Sequence, residues 1–352
     1  ALYNMMLYER IEKLKNHNQS HYYPLYKTEL DYIKEFEWLK EADSIALYQS
    51  SRNLIKNFSV YTNSLKKIKK GKEISLPQYK KKKKHNTYKT LFTNNNITID
   101  FQNKKIKLPK LGFVSFRDKR KKGFGTIISV TVTRNSTGKY FSSILFVNDK
   151  VIVPKKKVKD PKKVIGLDMS LQNFYVDNEG DSPKFVRNTL RYEKRLTKAQ
   201  RRLSKKQSKS KNWIKAKDKV SIIYEKIANS RAYFNQNLVY YLVQNYDAIC
   251  IESLNLVEMG QTKKIGKSVQ DVAYYKFIEK LIQKAEDYGT HIIQVNRYFA
   301  SSKICSVCGY KYSELQLEER MWRCPTCETI HNRDVNAGIN LRNYGLKKLG
   351  LL

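Results

Sequence analysis

Two pairs of cysteines near the C-terminus constrain this chain more tightly than any other feature. Cys305 and Cys308 are separated by two residues, Cys324 and Cys327 repeat that interval, and fifteen residues lie between the pairs. Each pair forms a knuckle that turns two sulfurs to one side. Two knuckles surround a Zn²⁺ ion tetrahedrally with no open position, so the site contributes folding energy and no chemistry. Disulfides are the alternative, and they do not suit the reducing compartment to which the cysteine usage points: five in all, four of them in these pairs. Gly309 fits the tight turn after the first knuckle, and Glu328 stands after the second where a glycine would be easier. Cys250, alone in an apolar run, reads as a small buried hydrophobe.

Charge narrows the partner. Lys and Arg number 69 against 32 Asp and Glu, a net charge of +37 over 352 residues. Self-repulsion of that size opposes a compact state unless a polyanion neutralises it, which favours nucleic acid first and an anionic membrane surface second. No run approaches the roughly 18 apolar residues of a spanning helix, and no signal-peptide pattern is found. The expectation is a cytoplasmic protein with no membrane partner. At 41% hydrophobic residues the chain can build packed cores, and its length allows two or three domains.

Apolar residues recur at helical spacing through Leu2, Met5, Met6, Tyr8, Ile11 and Leu14, and again at Ile33, Phe36 and Leu39. A further helix runs from Ile45 through Leu47, Leu54, Ile55 and Phe58, with Ser44 as its cap. Ala1 opens inside the first of these helices, so a preceding piece of chain is expected. Segments rich in β-branched and aromatic residues follow at 97–101, 113–116, 126–133 and 140–147, the pattern of an antiparallel β-domain with a helical insertion. Lys-rich 155–163 reads as a linker.

Strands are then expected at 164–168, at 174–177 and near Phe185, with a turn at Asn178-Glu179-Gly180. A long helical stretch gathers Trp213, Val220, Ile227, Phe234 and Leu238 on one stripe. A strand at 248–251, a helix at 274–288 closed by Gly289, and a strand at 291–295 complete the series. Three strands, helix, strand, helix, strand is the order of an RNase H-like fold.

In that order Asp168 ends the first strand, Glu252 closes the fourth, and Asp334 opens the C-terminal helix. The first and fourth strands of the fold are neighbours. Two carboxylates there and a third from a packed helix can hold two Mg²⁺ or Mn²⁺ ions about 4 Å apart. One ion activates water, and the other stabilises the leaving oxygen of a phosphodiester. Each carboxylate alone reads as a strand-end or capping residue; the three in this setting carry the metal reading.

At these residues the chain resembles the transposon-encoded TnpB nucleases, RNA-guided relatives of compact type V CRISPR effectors. Val164-Ile165-Gly166-Leu167-Asp168 with Asn173-Phe174 resembles the first RuvC motif, and Ile251-Glu252-Ser253-Leu254-Asn255-Leu256 with Met259 the second. Ser301-Ser302-Lys303, the cysteine knuckles and His331-Asn332-Arg333-Asp334-Val335-Asn336-Ala337 are similar to the C-terminal signature. Trp38-Leu39-Lys40-Glu41 resembles the recognition lobe, and Leu108-Pro109-Lys110-Leu111-Gly112 the wedge barrel. The family departs here at Met169-Ser170, Asn296 and Ala300, and none of these removes a metal carboxylate. The resemblance implies an α/β multidomain protein. Its parts would be a helical recognition lobe at 1–70, a wedge β-barrel at 71–154 whose first strand precedes Ala1, a linker at 155–163, an RNase H-like RuvC domain at 164–300 and 331–352, and an inserted zinc ribbon at 301–330. It also implies a guide RNA and target double-stranded DNA as partners. A monomer is expected.

The basic residues fit that implication. Lys80, Lys81, Lys82, Lys83 and Lys84 form one run, and Arg195, Arg201, Arg202, Lys205 and Lys206 crowd one helix. Runs this dense are read as phosphate contacts, because neutralisation offsets their mutual repulsion. Gln49, Arg52 and Asn53 share the helix after Ser44 and are read as candidates for the flanking DNA, since amides can read adenine bidentately. Arg333 is read as a partner of the scissile phosphate or of Asp334, while His331 stays outside the catalytic set. Three functions remain open: a guided DNA endonuclease, a guide-bound DNA-binding repressor, and a strand-transfer transposase.

Overall fold

The N-terminal apolar spacing produces helices α1 (Leu2–Asn16), α2 (Glu29–Glu35) and α3 (Ser44–Leu65), with a 3-10 turn at Glu37–Glu41. The computed structural model describes residues 1–16, 27–65, 75–81, 87–120, 125–147, 153–185, 188–253, 273–316 and 318–352. Leu2, Tyr3, Met6 and Leu7 are buried against Tyr32, Leu39, Leu54 and Phe58. The cap of α3 is Asp43 rather than Ser44: its Oδ1 accepts the Ile45 N–H at 3.1 Å. Adjacent Asp and Ser are equally good caps by chemistry, and the choice falls to the residue whose backbone is the last outside the helix.

Packing divides the chain into two units, Ala1–Lys150 and Val151–Leu352. In the first, β1 (Thr87–Leu91), β5 (Thr126–Arg134) and β6 (Tyr140–Val147) form an antiparallel sheet in the order β1-β5-β6. The meander β2 (Thr98–Asp100), β3 (Lys105–Leu108) and β4 (Gly112–Ser115) forms another. Ile106 and Leu108 of the second sheet share a core with Val130 of the first. The expected barrel is corrected here: among the described residues no strand of one sheet pairs with a strand of the other, so β4 and β6 remain edges. Face-to-face burial of side chains, not edge pairing, joins the sheets.

The second unit is built on a four-stranded sheet in the order β10-β9-β7-β8. Its strands are β7 (Val164–Ser170), β8 (Phe174–Asp177), β9 (Ala248–Glu252) and β10 (His291–Val295). β9 runs parallel to both β7 and β10, and β8 antiparallel to β7. The helices are α4 (Asn188–Ser204), α5 (Lys211–Asn245), α6 (Tyr274–Tyr288) and α7 (Arg333–Lys348). Strand alternation sorts side chains between two cores. Ile165, Leu167, Ile249 and Ile251 are buried with Leu238, Leu242, Phe277 and Leu281 of α5 and α6. Val164, Ala248 and Cys250 are buried on the other face with Leu341 and Leu346 of α7.

Gly166 falls on the α7 face, where a methyl group would lie 2.1 Å from the Gly338 carbonyl oxygen. Gly345 repeats the device, since its methyl would lie 2.1 Å from Cys250 Sγ. Helix and strand therefore approach at backbone distance.

Two expectations are revised. Residues 181–185 form no strand: Pro183 offers no N–H to a ladder, and the Phe185 ring packs 5.4 Å from Phe174 and 5.3 Å from Phe234. The Lys-rich 155–163 is no free tether, because Lys156 Nζ donates to the Val243 and Tyr246 carbonyls at 3.1 Å and His291 Nε2 meets the Lys156 carbonyl at 2.8 Å.

Candidate metal centre and nucleic-acid surfaces

The alternation that builds the two cores also aims the acidic residues. Counting by twos from Val164 and Gly166 places Asp168 on the α7 face of β7, and counting from Ala248 and Cys250 places Glu252 on the same face of β9. The parallel register pairs Leu167 with Ile251, so Asp168 and Glu252 are the next step on neighbouring strands. β7 continues to Ser170, which puts Asp168 two residues inside its strand rather than at the end. Asp334 enters from α7, whose N-cap Asn332 accepts the N–H groups of Asp334 and Val335 at 3.1 and 3.2 Å.

The three carboxylates feel one another. Burial, then the charges of Glu252 and Asp334, push the Asp168 carboxyl up to about 8, against smaller downward pulls from Arg333 and Arg320. Each neighbour is held by a partner of its own. Ser301 Oγ donates to Glu252, and Arg320 Nη1 donates to both oxygens of Asp334 at 2.9 and 3.2 Å. With those contacts in place the three do not converge: among the described residues, the one group of three or more ligating side chains within 4.8 Å is the cysteine cluster. The donor set nevertheless suits a hard divalent cation, being all carboxylate oxygen.

Ser301 and Arg320 escaped the sequence reading. Ser301 lay inside a family signature, but nothing in its spacing tied it to Glu252. Arg320 had no motif at all. Arg333, proposed from sequence, lies near enough to act on Asp168, and its Nη1 donates to the Gln316 carbonyl at 3.1 Å.

The knuckles do converge. Cys305 and Cys327 sulfurs are 3.6 Å apart and those of Cys308 and Cys324 3.5 Å. Zn–S bonds of about 2.3 Å in a tetrahedron require sulfurs about 3.8 Å apart, so the group fits zinc. Gly309 has φ 79° and Glu328 φ 57°, the left-handed turns both knuckles need. The strands β11 (Met321–Arg323) and β12 (Ile330–Asn332) frame the second knuckle. Asn336 and Asn340 of α7 then clamp the ribbon: their Nδ2 groups donate to the Ile304 carbonyl at 2.8 and 2.6 Å.

Residues 143–263 match the OrfB_IS605 family, described as "Probable transposase", and residues 274–341 match the "Cas12f1-like, TNB domain". Two relatives carry the name "Putative RNA-guided DNA endonuclease". One, from Streptomyces pristinaespiralis, is 28% identical over 321 residues, covering 91% of this chain and 76% of the relative. The other, InsQ of Escherichia coli (strain K12), is 26% identical over 326 residues, covering 88% and 77%. TnpB-like protein L79 of Acanthamoeba polyphaga mimivirus is 29% identical over 236 residues, 63% of this chain and 44% of that one. The chain is similar to the OrfB_IS605 family over residues 143–263 and to TnpB-like proteins over 63% of its length. Among solved structures, a Cas12f1-sgRNA-target DNA complex aligns over 98% of this chain and 92% of its own, at 17% identity and a TM-score of 0.38.

Basic residues crowd the helical hairpin of α4 and α5. Arg195, Arg202, Lys205 and Lys206 of the α4 side face Lys215 and Lys219 of α5 across a cleft of about 820 Å³. Arg201 lines a second groove beside Arg202 and Lys205. In the first unit Gln49 and Asn53 line a groove of about 520 Å³ with Lys80, Lys89 and Lys110; Arg52 is exposed on the same helix but outside that lining. The Lys80 backbone is paired with the Asn4 amide, and its ammonium lies 4.0 Å from the Tyr3 ring. Lys81 is exposed, and Lys82, Lys83 and Lys84 lie outside the described residues, as do Leu254, Asn255, Leu256 and Met259. No described helix is long and apolar enough to cross a membrane.

Proposed function

We propose that this chain is an RNA-guided DNA endonuclease that binds a transposon-derived guide RNA and cleaves DNA beside a short flanking motif by metal-dependent phosphodiester hydrolysis. One observation carries the reading: adjacent parallel strands present Asp168 and Glu252 on the face that receives the N-terminus of α7 and its Asp334. Asp168, Glu252 and Asp334 would hold two Mg²⁺ or Mn²⁺ ions, which when bound supply an activated water and neutralise charge on the leaving oxygen. Arg320 and Arg333 bring positive charge to the same place, where a scissile phosphate gains from it. The four cysteines would hold one structural zinc.

On the same reading, the α4–α5 cleft grips guide and target backbones, and the Gln49 and Asn53 groove receives the flanking duplex. On this reading residues 1–70 are the recognition lobe, 71–154 the wedge domain, 164–300 and 331–352 the nuclease domain, and 301–330 the zinc ribbon.

Purified protein with its co-purified RNA should cut matched DNA in Mg²⁺. Asp168→Ala, Glu252→Ala and Asp334→Ala should each abolish cutting and keep guided DNA binding. Guided binding without any cutting by the unaltered protein would favour a repressor. Joining of DNA ends without guide RNA would favour a transposase.

A further inference from the structure

His331 lies beside the four thiols without being one of the knuckle residues. Its Nε2 is 3.1 Å from Cys305 Sγ. The ring is 7% exposed and packs at a tilt against Trp322, centroids 4.7 Å apart, from the facing position across β11 and β12. Two other sulfurs also have donors: Thr329 Oγ1 is 3.3 Å from Cys327 Sγ, and the Tyr310 N–H points to Cys308.

Four thiolates around one Zn²⁺ leave two net negative charges in a partly buried site, and donors to sulfur are what make that charge tolerable. A thiolate bound to zinc can only accept. The ring nitrogen that faces it must therefore carry the proton.

We propose that His331 donates its Nε2–H to the zinc-bound thiolate of Cys305 and thereby positions the N-terminus of α7. The chain leaves no slack between the two ends of this contact. Asn332, the next residue, caps α7 by accepting the Asp334 and Val335 N–H groups. The Arg333 N–H is bonded to the Arg320 carbonyl at 2.8 Å. Imidazole, strand and cap thus transmit the location of one sulfur to Asp334 through three residues. His331 acts here as a positioning residue and touches neither substrate nor the carboxylates. The proposal rests on the four-thiolate zinc reading and is independent of the nuclease reading.

The test uses the full chain. His331→Phe keeps an aromatic ring against Trp322 and removes the donor, whereas His331→Gln keeps an N–H. In competition with a chromophoric zinc chelator, the Phe variant should lose about 10–100-fold in zinc affinity, the usual cost of a lost outer-sphere partner. The Gln variant should recover most of it. Amide exchange at Asp334 and Val335 should quicken in the Phe variant. Equal zinc affinity in wild type and Phe variant would overturn the hydrogen bond, and unchanged exchange would overturn the positioning role.

Two measurements on the unmutated protein keep the idea exposed if the Phe variant misfolds. Imidazole ¹⁵N shifts should report a neutral ring protonated at Nε2, and protonation at Nδ1 would refute the donor. Cobalt-substituted protein should show a four-thiolate spectrum. Three thiolates and a nitrogen would make His331 a ligand, and failure to bind either metal would remove the zinc reading itself.

Discussion

Asp168→Asn should make the magnesium-free protein more stable while destroying its cleavage. The Asp168 carboxyl is pushed from its ordinary 3.8 up to about 8 by burial and by Glu252 and Asp334. The folded state therefore holds its proton more tightly than the unfolded state. This group's contribution is most favourable below 3.8 and is lost progressively as the pH rises to about 8. At about 1.4 kcal/mol per pH unit, the loss by pH 7 approaches roughly 4 kcal/mol. Part of the side chain still meets solvent, so a fraction of that figure survives. Even about 1 kcal/mol moves Tm by roughly 2–4 °C in a unit of this size. Thermal unfolding in magnesium-free buffer at pH 5, 6, 7 and 8 is the assay. Wild type should lose stability from pH 5 to 8, and the Asn variant should be flatter and higher at pH 8. Added Mg²⁺ should raise the wild-type Tm more than that of the variant. Equal Tm values and equal pH slopes in the absence of magnesium would show that the three carboxylates do not burden one another.

The other outcomes are expected as follows. Gly166→Ala puts a methyl 2.1 Å from the Gly338 oxygen and 2.6 Å from the Arg342 nitrogen, and denaturant titration should show a loss of about 3 kcal/mol or more. Metal analysis should find about one zinc per chain in wild type and far less in Cys324→Ser, with lower activity, as a four-thiolate site requires all its ligands. A Lys205→Ala/Lys206→Ala pair should weaken nucleic-acid binding alike for all sequences, and each lost phosphate contact should flatten the log–log salt slope by roughly 0.7–0.9. Gln49→Ala should instead change the preferred flanking motif in a library screen, with the salt slope kept.

What the sequence disclosed followed the range of the forces involved. The runs at 164–168 and 248–251 announced buried parallel strands because both faces are covered, and a carboxylate closing such a run marks an edge of the core. The knuckles were legible because their geometry is local. The cap of α3 was missed by one residue, since Asp43 and Ser44 have the same chemistry and only the backbone path separates them. The barrel was not found because alternation within β4 or β6 says nothing of which distant edge, if any, a strand pairs with. The partners of the carboxylates were invisible for the same reason. Ser301 reaches Glu252 across 49 positions of sequence, and Arg320 reaches Asp334 across 14 with no periodic signal between them.

The glycines under α7 set what evolution and engineering can adjust in this protein. Side chains in a core wobble between rotamers, and a separation defined by them inherits that tolerance. Here the spacing between the strand of Asp168 and the helix of Asp334 is gauged by main chain against main chain at Gly166 and Gly338, and by the Cys250 sulfur against the main chain at Gly345. The aromatic side of the sheet, around Phe174 and Phe277, lies on the face opposite that gauge. Altering reactivity by shifting the carboxylates would mean replacing α7 and its strands together, as one cassette.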